Sequence, residues 1–205
     1  MSITVVVEVG SKKVFASALG FPGWARSGRT EADAIEALLA YAPRFAPVAD
    51  AAGVRLPTDL TVSVVERVEG NATTDFGAPA VPAAAESDPG DAAQRARAAA
   101  LVAAAWDEFA RIECNAPREL RKGPRGGGRD TDAIREHVLE AEQAYKGKLG
   151  IRGITDSELV RQAMLVAIRE GRPPAQPNQW PSAYAARRIA WHALDHAWEI
   201  QDRST

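Results

Sequence analysis

The chain contains three histidines, and their placement is the strongest chemical signal in it. His192 and His196 sit in Trp191-His192-Ala193-Leu194-Asp195-His196-Ala197-Trp198-Glu199. Residues four apart share one helix face, so both imidazoles can point the same way. His137 lies in an earlier helical run, from Asp132 to Leu149. A facing helix could bring it to the pair and complete a three-imidazole set. Such a set leaves coordination positions open, which distinguishes a catalytic metal site from a closed structural one. Neutral imidazole suits zinc or nickel, and also iron or copper, and sequence does not choose among them. The alternative is that all three are amphipathic residues at helix borders.

Helical geometry orders the neighbours. With about 100° per residue and His192 as origin, His196 falls at about +40°, Glu199 at about −20°, Arg188 at about −40° and Asp195 at about −60°. Trp191, Leu194 and Trp198 form the apolar stripe, which the histidines flank. Glu199 and Asp195 are candidates to orient a ligand, move a proton or supply a fourth ligand. Arg188 is a candidate to hold an anionic group. The bland alternative for both acids is solvated helix charge, which the spacing slightly favours for Asp195.

The elements that must position these residues fall into two parts. Ile3-Thr4-Val5-Val6-Val7-Glu8-Val9, Val14 to Leu19 and Leu60 to Glu66 read as strands from their β-branched content. Gly10-Ser11 makes the first two a hairpin, and Phe21 to Trp24 reads as a loop. A helix follows Thr30, a capping residue with Asp33 three positions on. It carries Ala34, Ile35, Leu38, Leu39, Ala42 and Phe45 at helical spacing, and Pro43 and Pro47 should end or kink it. The expected order is β-β-α-β over residues 1–70. Residues 71–90 are rich in Pro, Gly and small side chains and read as a linker, in which Phe76 could pack against either part. Residues 91–205 carry four amphipathic helices: Asp91 to Cys114, Thr131 to Leu149, Asp156 to Glu170 and Ser182 to Asp202. A four-helix bundle is their natural packing, so the fold class is α+β.

Composition bounds the rest. A net charge of −2 gives no electrostatic reason for a nucleic-acid partner. A single cysteine, Cys114, forms no internal disulfide and reads as a small buried hydrophobe rather than a nucleophile. No apolar run of membrane-spanning length and no secretory leader is visible, so a cytoplasmic setting without a membrane partner is expected. The tryptophans at 106, 180, 191 and 198 read as core, although Trp180 sits in a loop and could line a pocket. The loop Glu119 to Asp130 places Arg121, Lys122, Arg125 and Arg129 among glycines before the His137 helix. That arrangement offers an anion site for an acidic cosubstrate; the alternative is a flexible solvated connection.

On the histidine in the second helix, the HxxxH pair in the fourth and the wide connection between them, residues 91–203 resemble the DinB-like metal-binding bundles. These are similar to thiol-dependent S-transferases and mycothiol-dependent maleylpyruvate isomerase of actinobacterial type. The resemblance implies an antiparallel four-helix bundle with a divalent metal on His137, His192 and His196. It also implies a small-molecule substrate and a low-molecular-weight thiol such as mycothiol. The implied chemistry is S-transfer or isomerisation, with metal-dependent hydrolysis as the related option. Phe21-Pro22-Gly23-Trp24 and the helix start after it are similar to the small HicB-like β-β-α-β module. That module reads here as a structural or substrate-covering element rather than a nucleic-acid binder. The non-catalytic alternative is a metal-stabilised regulatory protein whose first part recognises a partner; a homodimer stays open.

Overall fold

The computed structural model describes residues 2–123 and 127–204. β1 (Ile3–Val9) and β2 (Val14–Ala18) form the expected hairpin, registered from Val5 opposite Ala18 to Val9 opposite Val14. Beyond the loop a further strand, β3 (Ala25–Gly28), pairs antiparallel with β2. It lacks β-branched and aromatic residues, and is a strand because the turn before it delivers it to β2. Gly23 makes that turn possible: its φ is +97°, and a Cβ there would come within 2.8 Å of the Leu194 side chain.

The helix after Thr30 forms with both bonds of its capping box, each 3.1 Å. It is two helices rather than one, α1 (Glu31–Ala40) and α2 (Ala42–Ala51), parted at Tyr41. Pro43 sits in the first turn of α2, where its missing N–H costs nothing. Pro47, expected to end or kink the helix, lies inside α2. Buried Phe45, Val48 and Ala49 hold the chain helical around it. β4 (Val62–Glu69) starts two residues later than expected and lies parallel to β1. The sheet order is β3-β2-β1-β4, and the element order is β-β-β-α-α-β.

Both faces of this sheet are covered. One carries Val5, Val7, Ala16 and Ala18 into a core shared with Leu38 and Phe45. The other carries Glu8, Phe15 and Ser17, all buried. The segment read as a linker lies against this second face, with α3 (Ala72–Phe76) and a 3-10 turn at Ala84–Ser87. Glu8 accepts from the Thr74 hydroxyl, the Ala80 N–H (2.9 Å) and the Val81 N–H (3.1 Å). Phe76, which could have packed inward, is 88% exposed.

Four long helices complete the described chain: α4 (Ala92–Asn115), α5 (Thr131–Lys148), α6 (Ser157–Glu170) and α7 (Ser182–Arg203). Asp91 and Asp156 cap α4 and α6, and Gly171 ends α6 in the left-handed conformation. α4 packs on α6, α7 and α2, and α5 packs on α6 and α7. α7 is the central shaft, with 14 of its 22 residues buried, so its burial reaches well beyond one stripe. Trp191 meets Phe15 edge-on at 5.9 Å. Arg187 forms a two-point ion pair with Glu86 (2.6 and 2.8 Å) and also donates to the Val81 carbonyl and the Ser17 hydroxyl. One apolar core thus includes Ile3, Leu38, Leu101, Ile134, Met164 and Leu194. No described helix is long and apolar enough to cross a membrane. Cys114, expected inside, is exposed. In the last turn of α4 it is Ile112 that takes the inward position.

Candidate metal centre

α7 places His192 and His196 one turn apart on a single face, and α5 brings His137 against them. Ring centroids are 4.7 Å apart for His192 and His196, 4.9 Å for His137 and His196, and 5.1 Å for His137 and His192. One ligating atom from each lies within 4.8 Å of the others. Nε2 of His192 faces Nε2 of His137 at 3.3 Å. Two nitrogens bound to one tetrahedral zinc at 2.0–2.1 Å stand about 3.3–3.4 Å apart. The spacing is therefore that of two ligands sharing one ion.

Protonation is compatible with a ligand role. Burial pushes the His192 imidazole down to about 2, aided by the neighbouring His196 and Arg188 charges. Burial and then His196 lower His137 as well. Both rings are neutral at ordinary pH, the form in which imidazole binds metal. Nδ1 of His196 meets Glu199 Oε2 at 2.9 Å, leaving its Nε2 for the shared centre. The His196 hydrogen bond is also the main reason Glu199 sits below the usual carboxylate range. A carboxylate behind a ligating histidine fixes its tautomer and orientation, and the His196–Glu199 contact has that form.

Glu199 is itself held by Arg203 (2.7 Å), whose Nε donates to the Arg121 carbonyl at 2.9 Å. The loop before α5 therefore reaches the centre through its backbone. Gly128 closes over this arginine: its φ is +121°, and a Cβ there would fall 2.6 Å from Arg203 Nη2. Sequence reading passed over Arg203, although a glutamate four residues before an arginine on a helix is a standing signal for such a pair.

The other singled-out residues divide. Asp195 does not turn to the histidines; its Oδ1 accepts from Arg26 Nη1 at 3.0 Å, across to β3. Arg26 in turn stacks 4.0 Å over Tyr41. Asp195 is thus a tether between the sheet and α7 rather than a solvated charge. The Arg121 guanidinium donates to the Asp202 carbonyl at 3.1 Å, and Lys122 pairs with Asp130 at 2.5 Å. Arg129 has no hydrogen bond or ion pair among the described residues, and its charge helps lower both His137 and His192. Arg125 lies outside the described residues. Arg188 sits one turn before His192, against Trp191 and Tyr145. The buried acid Glu142 is absent from the sequence reading; it forms a two-point pair with Arg161 at 2.9 Å and joins α5 to α6.

Comparison with family models, with curated proteins and with solved structures finds no match for this chain.

Proposed function

We propose that this chain is a divalent-metal-dependent enzyme on a DinB-like antiparallel helical bundle, activating a thiol or water against a small electrophilic substrate. The observation that carries this reading is the convergence of three imidazoles from α5 and α7, two of them with Nε2 atoms 3.3 Å apart. An ion held there supplies Lewis acidity and lowers the pKa of a bound thiol or water toward neutrality. Zinc and nickel suit this ligand set first, with iron or copper compatible. Three protein ligands leave at least one position for the nucleophile.

The chain's own residues do the rest. His137 and His192 are kept unprotonated by burial. Glu199 holds the His196 Nδ1 proton, so that Nε2 stays a lone-pair donor. Partial exposure of His137 and His196 leaves a path to solvent. The unpaired charge of Arg129 beside the rings suits an acidic cosubstrate such as a mycothiol-type thiol.

The test is elemental analysis of the purified protein beside the His137→Ala, His192→Ala, His196→Ala triple variant. About one ion per chain, lost in the variant, is expected. No ion in the wild type after reloading, or full content in the variant, would overturn the reading.

A further inference from the structure

Arg188 precedes His192 by one helical turn on α7. Its guanidinium lies 4.8 Å from the Trp191 ring centre and 5.6 Å from that of Tyr145. Tyr145 in turn lies 5.7 Å from the His192 ring. The cation and the histidine centre thus share one wall. No hydrogen bond or ion pair satisfies this guanidinium among the described residues, and its Nη1 is buried.

The other arginines around α7 show what is missing. Arg187 has Glu86, Arg203 has Glu199, and Arg26 has Asp195. Glu142 on α5 is likewise paired with Arg161. A partly buried cation with no counter-ion is costly to keep. Aromatic faces return some of that cost but leave the N–H donors open. Its unpartnered Nη1 suits an anion, and the apolar rings beside it suit an organic one.

We propose that Arg188 is the seat of a small organic carboxylate, gripped by the guanidinium fork, with its apolar part against Tyr145 and Trp191 beside the three imidazoles. This rests on the histidines being the reacting centre, and it makes carboxylic acids the substrate class. A planar carboxylate matches the fork through two parallel hydrogen bonds.

The experiment titrates phenylacetate and inorganic phosphate into the full chain, chelator-treated and zinc-loaded, following tryptophan fluorescence and heat. Phenylacetate is expected to bind without metal and to lose about tenfold or more in Arg188→Gln. Arg188→Lys, which keeps the charge without the fork, should fall between. Arg188→Met should melt higher than wild type, because an unpaired charge is removed. Equal binding to wild type and R188Q, no carboxylate binding, tighter phosphate binding, or a lower melting temperature in R188M would each overturn the proposal. Because the metal-free titration does not involve an ion, its outcome is separate from that of the elemental analysis.

Discussion

Lowering the pH from 7 to 5 is expected to cost the metal-free protein about 2 kcal/mol through His192 alone. Its imidazole titrates at about 2 in the folded chain, against an ordinary value of 6.5. Between those limits the folded state keeps the ring neutral while the unfolded state takes a proton. Stability therefore falls as pH drops below 6.5, by about 1.4 kcal/mol for each unit. At pH 5 that is 1.5 units below the unfolded value, hence about 2 kcal/mol. His137, lowered for the same reason, adds to the loss. Glu142 and Asp195, whose carboxyls burial raises, run the other way. The diagnostic quantity is therefore the difference between wild type and His192→Gln, which removes only the imidazole. Urea unfolding at both pH values, with chelator present, gives it directly. A pH-dependent loss in H192Q within about 0.5 kcal/mol of the wild-type loss would refute the argument that burial holds this ring neutral.

Two further substitutions probe the surroundings of α7. Glu86→Gln should destabilise by about 3–5 kcal/mol in urea unfolding, because it leaves buried Arg187 without its counter-charge. The Glu86→Leu, Arg187→Met double variant should recover most of that, and failure to recover would remove electrostatics as the cause. Gly128→Ala should weaken zinc binding by about tenfold, since the new methyl displaces Arg203 from the carboxylate that orients His196. Competition against a chromophoric chelator reads this, and unchanged affinity would disconnect the loop from the centre.

What could be read from the sequence was what is local. The cap at Thr30 and the four long amphipathic runs depend on residues within a few positions of one another. The HxxxH pair belongs to the same class, since helical spacing alone puts both rings on one face. What depended on distant partners was hidden. Ala25–Gly28 has no strand signal of its own and becomes a strand through β2. The Pro- and Ala-rich stretch near residue 80 looks like a tether until Glu8 is seen to bind its backbone. Arg187 and Arg188 are adjacent and chemically identical, yet one is fully paired in the core and the other has no counter-charge. Helical spacing puts Arg187 on the apolar stripe of Trp191, Leu194 and Trp198 and Arg188 about 100° away from it, but that Arg187 is paired there depends on Glu86, 101 residues distant in sequence.

The bond from Arg187 to Ser17 joins residues 170 apart, and the Arg26–Asp195 pair spans 169. A chain emerging from a ribosome at about 5–20 residues per second makes the sheet first. With β4 ending at Glu69, it then waits roughly 6–25 s for Trp191 of the helix that fills the sheet's second side. During that interval Phe15 lacks Trp191, Glu86 lacks its cation, and His137 stands without the other two rings. Such long-range closure is slow and leaves sticky surface open meanwhile. On the proposed reading, ion uptake would therefore wait for α7: a chain stalled before it, however well its hairpin forms, carries only one of the three imidazoles.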